Sequence, residues 1–255
     1  SFDGNTGAQT ANYAENATTP VAGVVFKLSP RYSVYANYIE GLVKGDTAPA
    51  TANGQPVTNA GTVFKPYITE QVELGVKYDG GSVGGSVSVF QSEKPNYGID
   101  SSNTFSQVGD QTNEGLEIMA FGKASKTVTM LGGLSILNTD ADGRDAIGAP
   151  SAQANVGLEW SPGQVQGLAF ETRAIYTSSQ YADSANTQEV PSWTRLDLGV
   201  RYVMPVGNAQ ALTLRARLDN VTDRNYWASA GGFPGSGYLT IGNPRTLTVS
   251  ASLDF

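Results

Sequence analysis

Residues 192–204 read SWTRLDLGVRYVM, and this stretch decides the fold class. Successive side chains of a β-strand point to opposite faces, so Leu196 and Leu198 share one face while Arg195 and Asp197 share the other. A soluble strand buries its apolar face in a core and wets its polar face. Here the polar face carries charges of both signs, which is typical of a wall with lipid outside and water inside. The stretch therefore predicts a strand of a transmembrane β-barrel.

The same alternation recurs in eleven segments, which we predict to be strands at 21–28, 31–40, 67–78, 82–92, 112–122, 126–138, 152–161, 167–179, 192–204, 210–220 and 245–255. Tight connections lie at 29–30, 79–81, 122–125, 161–166 and 205–210, and long ones at 41–66, 93–111, 139–151, 180–191 and 221–244. Bacterial barrels place short turns in the periplasm and long loops outside. The pattern predicts an all-β, transmembrane, antiparallel up-and-down barrel wall with a periplasmic C-terminus.

The two predicted faces keep their character along the chain. The apolar face includes Val72, Leu74, Val76, Val87, Val89, Met130, Leu134, Ile136, Val156, Leu158, Leu212, Leu214, Leu218, Leu247, Val249, Leu253 and Phe255. The opposite face carries Gln71, Glu73, Lys77, Glu117, Asn155, Glu159, Glu171, Arg173, Arg215, Arg217 and Asp219. Near the tight turns and the C-terminus, the apolar face carries the aromatic residues Tyr32, Tyr78, Trp160, Tyr202 and Phe255. We expect them to form an aromatic girdle at one membrane interface.

The composition narrows the function classes. The 255 residues include no Cys and no His, so a Ser-His triad and a Cys nucleophile are both excluded, and we expect no enzyme. No run approaches the roughly 18 apolar residues of a membrane helix. The net charge of -7 disfavours nucleic-acid binding. Residues 138–143 resemble the opening of a calcium loop, but position twelve is Ala149 rather than Glu, so we expect a solvated acidic loop and no metal.

The strand count predicts a larger parent protein. Single-chain barrels have an even number of strands, and unpaired strand edges in lipid cost several kcal/mol per unsatisfied group. Doubling eleven strands gives about 22, the size of plugged outer-membrane transporters. We therefore expect residues 1–255 to be part of one barrel domain, roughly strands 12 to 22, with the N-terminal plug and the first half of the barrel outside this sequence. The sequence begins in a segment that we expect to be an extracellular loop. Proteolytic cleavage in that loop and a partial sequence explain this start equally well.

Two segments near the C-terminus resemble one family. Residues 218–227, LDNVTDRNYW, resemble the penultimate-strand signature of TonB-dependent siderophore receptors, and residues 242–255, GNPRTLTVSASLDF, resemble their closing strand. The segments at 34–41 and 70–75 also look like strands of that barrel. The resemblance implies an outer-membrane receptor that imports a ferric siderophore, with a plug that binds TonB. It also implies that the barrel-assembly machinery reads the closing strand, here through Val249, Ala251, Leu253 and Phe255.

The resemblance also narrows the ligand. Loop residues 145–148 and 226–232 look more like those of hydroxamate (ferrichrome-type) receptors than of catecholate receptors. Iron arrives as substrate, already chelated, so we expect no cofactor. The other expected partners are outer-membrane lipid and the remaining half of the protein. The alternative from another class is a passive channel or an adhesin-like structural barrel.

Aromatic residues in or beside the long loops are the candidate ligand contacts, because exposed rings are favoured where a ligand covers them. They are Tyr97, Phe105, Tyr181, Trp193, Tyr226, Trp227, Phe233 and Tyr238. For Tyr226 and Trp227, a place in the outer aromatic girdle is an equally good interpretation.

Overall fold

The strands and their bounds come from a computed structural model that describes residues 6–7, 14, 16–52, 54–207, 210–233 and 236–254. Seventeen strands are present in this described part: β1 (Val21–Lys27), β2 (Tyr32–Val43), β3 (Thr51–Ala52), β4 (Gln55–Pro56), β5 (Tyr67–Asp79), β6 (Val83–Ile99), β7 (Phe105–Lys123), β8 (Val128–Ala141), β9 (Ala152–Trp160), β10 (Leu168–Thr177), β11 (Gln180–Tyr181), β12 (Glu189–Val190), β13 (Trp193–Val206), β14 (Gln210–Asp219), β15 (Trp227–Phe233), β16 (Ser236–Ile241) and β17 (Thr246–Asp254). Over the same residues, no helix has the length and hydropathy needed to cross a bilayer.

Eleven of these strands form one antiparallel sheet, in the order β1-β2-β5-β6-β7-β8-β9-β10-β13-β14-β17. Each strand pairs with the next long strand along the chain, as expected when short turns and loops connect neighbours. All eleven predicted strands are therefore confirmed. The remaining six strands form three small hairpins within the long connections.

The register keeps one face apolar across the whole sheet. Leu74 lies opposite Val89, Val89 opposite Leu116, and Leu116 opposite Ile136. A slip of one residue would move every apolar side chain to the other face, so the hydrophobic pattern fixes this register. Among the residues that the structure describes, no second layer covers the apolar face: Leu74 is 58% exposed and Leu198 is 44% exposed. This face needs an apolar environment outside the chain.

The opposite, charged face carries ion pairs that join adjacent strands and strands one further apart. Arg201 reaches Glu159 at 2.8 Å and Glu171 at 3.7 Å. Arg201 thus pairs with both glutamates across the wall. Since all three side chains remain partly exposed, each pair contributes at most about 1 kcal/mol to stability.

The apolar face becomes acidic toward the long loops. Glu40, Glu70 and Glu93 occupy directly opposed positions on three neighbouring strands, on the same face as Val72. Like charges opposite one another disfavour pairing, so this row needs water around it. The row interrupts the apolar band on these strands, and one exposed apolar pair, Leu42 and Ile68, lies beyond it on the same face.

The expected aromatic girdle forms at the tight-turn end. Tyr32 contacts Tyr78 with 4.9 Å between ring centroids, and Trp160 stacks on Phe170 at 5.6 Å. Phe170 extends the predicted set because it lies directly opposite Trp160. Phe255, the other predicted member beside Tyr202, lies outside the described residues.

The long connection predicted at 93–111 is wrong in its extent. β6 and β7 remain paired from Glu93–Thr112 up to Ile99–Phe105, so only residues 100–104 form the turn. Apolar–polar alternation disappears there because both faces have left the lipid-like environment, but the backbone ladder continues. A bulge between Asn96 and Tyr97 shifts the register near the tip.

The glycine-rich long connection at 221–244 also contains regular structure. Residues 227–241 form the β15–β16 hairpin, with Gly231 opposite Tyr238 and Gly232 opposite Gly237. A glycine at 231 gives the Tyr238 ring room to lie across the strand, since a Cβ there would be 2.6 Å from the ring. Close approach of an aromatic ring explains this glycine better than chain mobility.

Candidate ligand-binding cleft at the long-loop end

The loop at 44–66 and the β6–β7 tip at 93–111 are cross-linked into one body, here called the first loop unit. The Asn59 side chain donates to the Phe105 carbonyl at 2.8 Å and accepts from the Phe105 N–H at 3.0 Å. The Thr58 N–H donates to the Asn103 carbonyl at 3.0 Å. These bonds hold a loop with little secondary structure of its own against a regular hairpin.

An apolar cluster fills the first loop unit. Phe105 is only 2% exposed and packs with three buried residues of the loop, and its ring lies 5.5 Å from Phe64 and 5.8 Å from Tyr97. The other buried members are Ala48, Ala52 and Val57. Burial of this kind stabilises the loop by removing apolar surface from water. Phe105 is thus part of the loop core, and its aromatic signal in the sequence reflects packing.

The connections at 139–151, 178–192 and 227–241 form a second loop unit. The Asn186 side chain accepts from the Asp145 N–H at 2.9 Å and donates to the Asp145 carbonyl at 3.0 Å. The Gly148 N–H donates to the Tyr181 carbonyl at 2.9 Å. The Ala230 N–H donates to the Gln180 side chain at 3.3 Å, which attaches the β15–β16 hairpin.

Gly148 is the tightest contact of the second loop unit. Its φ of +70° is left-handed, and a Cβ there would lie 2.1 Å from the Ala230 carbonyl oxygen. Only glycine satisfies both constraints without movement of the backbone. The close approach locks residues 139–151 against the hairpin.

Asp183 organises the tip of the β11–β12 hairpin. Its carboxylate accepts from the Gln188 N–H at 2.7 Å, the Thr187 hydroxyl at 2.7 Å and the Thr187 N–H at 2.9 Å. These hydrogen bonds favour the ionised form, and they lower the pKa of Asp183 below its usual range, the Gln188 N–H having the largest effect. The turn is therefore stabilised by a charged side chain in water.

A cleft of about 710 Å³ lies between the two loop units. The first unit and adjacent strand residues contribute Asp46, Tyr67, Lys94, Pro95, Asn96, Tyr97, Gly98, Ile99, Phe105, Val108 and Gln111, and the second contributes Ala141, Asp142, Arg144, Asp145, Ala146, Ile147, Ala149 and Ser184. The volume is within the usual range of small-molecule sites. Three carboxylates and two cations line it, so its formal charge is slightly negative.

The two cations of the cleft have different surroundings. Lys94 is half-buried, and no hydrogen bond or ion pair joins its ammonium group to any residue that the structure describes. Arg144 is exposed, and its Nη1 donates to the Ser184 carbonyl at 3.3 Å. Each therefore has donor capacity left for a ligand.

The two segments that carry the family resemblance meet at Asn220, which is fully buried with a left-handed φ of +52°. Its side chain donates to the Arg224 carbonyl at 2.9 Å and the Asn243 carbonyl at 3.1 Å, and accepts from the Arg224 N–H at 3.0 Å. Its own N–H donates to Asp197 at 2.9 Å. Asn220 thus joins the end of β14 to the entry of β17 and to the charged face.

A ring pair stands beside this junction. The Trp193 and Tyr226 ring centroids are 4.4 Å apart, and Arg195 Nη1 donates to the Tyr226 hydroxyl at 3.5 Å. A Cβ at Gly242 would lie 2.3 Å from the Tyr226 ring, so this glycine makes room for the tyrosine. Trp193 is buried, and its Nε1 has no hydrogen-bond partner among the described residues.

Of the predicted aromatic contacts whose side chains the structure describes, Tyr97 and the buried Phe105 are the two that line the cleft. Tyr181 is half-buried in the second loop unit. Trp227 and Tyr238 are exposed on the β15–β16 hairpin, by 41% and 62%, and the side chain of Phe233 lies outside the described part. Trp227 lies opposite Ile241, which is also exposed, and this pair fits the alternative place in an outer girdle. Sequence reasoning missed the charged members, Lys94 and Arg144, because it weighed only aromatic residues.

The described residues of these loops do not bring oxygen ligands together for a metal ion. Asp140, in the stretch that resembles a calcium loop, accepts from the Gly143 N–H at 2.7 Å and so caps a turn. Across the described residues, no group of three or more acidic side chains could hold a metal ion.

Comparison with known proteins assigns the sheet and its loops to a family. A family model for the β-barrel of TonB-dependent receptor-like proteins matches residues 1–221. The chain belongs to the TonB-dependent receptor β-barrel family. It is 38% identical over 247 residues to the ferrichrome receptor FcuA of Yersinia enterocolitica, an alignment that covers 93% of this chain and 32% of that protein.

Solved structures give the same fold. The ferric preacinetobactin receptor BauA of Acinetobacter baumannii superposes with a TM-score of 0.78 at 38% identity, over 94% of this chain and 36% of BauA. The siderophore receptor PiuA of the same species superposes with a TM-score of 0.69 at 20% identity, over 91% and 35% of the two chains. This chain thus spans about a third of the length of these relatives and is a partial barrel. Members of this family are receptors and transporters rather than enzymes.

Proposed function

We propose that this chain is the C-terminal half, roughly strands 12 to 22, of a plugged barrel that imports a ferric siderophore across the outer membrane. The observation that carries the proposal is the cleft at the long-loop end, which opens between two cross-linked loop units above a charged wall. Its size suits a chelate. Family membership and the FcuA and BauA relatives support a chelated ferric ion as the substrate.

The proposed orientation places the long loops outside the cell and the C-terminus in the periplasm. Short turns with an aromatic girdle at one end and long packed loops at the other support this assignment. The apolar face then meets lipid, and the charged face lines the interior. Along the closing strand, Val249, Ala251 and Leu253 lie opposite apolar or small residues of β14. This apolar face fits a segment that the barrel-assembly machinery reads. The last residue proposed for that role, Phe255, lies outside the described residues.

We infer that the ligand is a hydroxamate chelate of the ferrichrome type. A ferric tris-hydroxamate is neutral, whereas a tris-catecholate carries several negative charges. Asp46, Asp142 and Asp145 outnumber Lys94 and Arg144 around the cleft, so a polyanion is repelled more than a neutral chelate. The ferrichrome receptor FcuA is consistent with this preference.

Binding at the loops is the first step of the proposed mechanism. The chelate leaves water for the cleft, where hydrogen-bond donors meet its oxygen atoms and Tyr97 covers its apolar parts. Release inward then requires movement of the plug, driven by TonB, in the remaining part of the protein. Iron stays chelated throughout, so this half of the barrel needs no redox or acid–base chemistry.

Uptake of radioactive iron tests the proposal. Cells that express the full-length parent should accumulate iron supplied as ferrichrome, and a TonB-deficient strain should not. Uptake that continues without TonB would instead indicate the passive-channel alternative. The intact mass of the parent, extracted with detergent from the native membrane, should be about two to three times the 26.8 kDa of this chain.

A further inference from the structure

We propose that Lys94 and Arg144 hold the ferric chelate from opposite walls of the cleft, so that the ligand bridges the two loop units. The inference rests on the proposed function and names the residues that determine specificity within it. Lys94 belongs to the first loop unit and Arg144 to the second, and both line the same space.

Lys94 is positioned by the ladder between β6 and β7. It lies opposite Gln111, which lies opposite Ala141 of β8, and all three residues line the cleft. The strand alternation places Lys94 on the charged face, two positions beyond Ser92, which is opposite Gln71. The backbone therefore places the side chain on the charged face, beside the cleft that the loop units enclose.

The surroundings of Lys94 leave its charge uncompensated. The residue is half-buried, and no described residue gives its ammonium group a hydrogen bond or an ion pair. A lysine can bury its aliphatic stem and keep its charged end accessible, so the N–H donors of Lys94 are available to a ligand. An oxygen atom that bears partial negative charge, such as an iron-bound hydroxamate oxygen, supplies the missing partner by a charge-assisted hydrogen bond.

Arg144 is held differently but faces the same space. Its Nη1 donates to the Ser184 carbonyl at 3.3 Å, and the adjacent Asp145 is held by Asn186, so the backbone that carries Arg144 is fixed while its guanidinium stays exposed. One hydrogen bond leaves most of its five N–H donors available. A fork of N–H groups suits adjacent oxygen atoms of one chelate better than a single ammonium does.

The acidic residues of the cleft give the site its selectivity. Asp46, Asp142 and Asp145 disfavour a ligand with net negative charge, while Lys94 and Arg144 require oxygen acceptors. Together they select an oxygen-rich chelate that is neutral or cationic. Specificity then comes from repulsion of the wrong ligand as well as attraction of the right one.

Binding of ferrichrome-iron to the purified full-length parent, measured by titration calorimetry, tests the inference. Lys94→Met and Arg144→Met should each weaken binding by about tenfold or more, because each removes a charge-assisted hydrogen bond. The affinity of Lys94→Arg for ferrichrome-iron should stay within about threefold of that of the parent, since arginine keeps a donor and the charge. The matched control is Lys126→Met, an exposed lysine in the turn before β8, at the far end of the wall, which should bind as the parent does.

Hydrogen–deuterium exchange tests the bridge without relying on a variant. Ligand should slow exchange both at 93–99 and at 141–149, the segments that line the two walls. Protection of one segment alone would overturn the bridge, and unchanged affinity of Lys94→Met and Arg144→Met would overturn the contacts. If the unmodified parent binds no ferrichrome-iron, the hydroxamate assignment itself fails, and this inference fails with it.

Discussion

Two neighbouring residues of β13, Leu198 and Gly199, test which face of the wall meets lipid. Leu198 lies on the apolar face opposite Thr172 and Leu218 and is 44% exposed within the chain. Gly199 lies on the charged face, where a Cβ would be 3.3 Å from the Glu171 carboxylate. An arginine at each position therefore samples two different environments only one residue apart.

The depth of Leu198 sets the expected magnitude. It is four residues from Tyr202 of the aromatic girdle. At a rise of about 3.3 Å per residue and a tilt of about 40°, this separation covers about 10 Å along the barrel axis. The apolar band of such barrels is about 25 Å tall, so Leu198 lies near its middle. Leu198→Arg should then lower the free energy of unfolding by about 2–4 kcal/mol.

Gly199→Arg should lower the free energy of unfolding by less than about 1 kcal/mol, because its guanidinium can pair with Glu171 in a water-filled interior. The assay is urea unfolding of the full-length parent in phospholipid vesicles, with free energies from the midpoint and slope. Leu198→Gln is the control that introduces polarity without a full charge. It should lower the free energy of unfolding by an amount between those of the two arginine variants. Equal costs for the two arginine variants would refute the assignment of the faces.

Three further predictions concern the loops. Asn220→Ala removes three side-chain hydrogen bonds from a fully buried position, so it should destabilise the parent by about 2–4 kcal/mol in thermal unfolding. Asn220→Gly should destabilise the parent less, because glycine tolerates the φ of +52°. Gly148→Ala should accelerate hydrogen exchange at 178–186 and weaken ligand binding because of its clash with Ala230, whereas Gly81→Ala, with a φ of +82° and open space in a tight turn at the far end of the wall, should do neither. The lowered pKa of Asp183 means that its contribution to hairpin stability is present above the ordinary Asp pKa of about 3.9 and is lost as pH falls below it. Exchange at Thr187 and Gln188 should rise over that acid range in the parent but not in Asp183→Asn, which lacks the charge at every pH.

Much of the wall was predictable because lipid and water impose a strict period of two. The strand around Leu198 could be recognised from its own residues, and charges of both signs were expected on its polar face, where Arg201 pairs with Glu159 and Glu171. The continuation of β6 to Ile99 could not be recognised in this way. Beyond the apolar band both faces meet water or protein, and the alternation that reveals a strand is lost.

The cleft was less predictable than the wall because distant loops form it. Phe105 and Trp193 carry the aromatic signal expected of ligand contacts, yet both are buried in loop packing. Lys94 gives no signal in the sequence that separates it from an ordinary surface lysine. Its importance arises from the loop at 44–66 and the residues around Arg144, whose positions depend on contacts far apart along the chain.

The pairing of each wall strand only with its neighbours along the chain has a consequence for how these loops can change. No ladder of the wall depends on the path that a long loop takes between two strands. Lengthening a loop therefore adds only a small closure entropy, which grows slowly with the number of residues. Insertions and deletions can therefore reshape the long-loop end while the hydrogen-bonded wall stays intact.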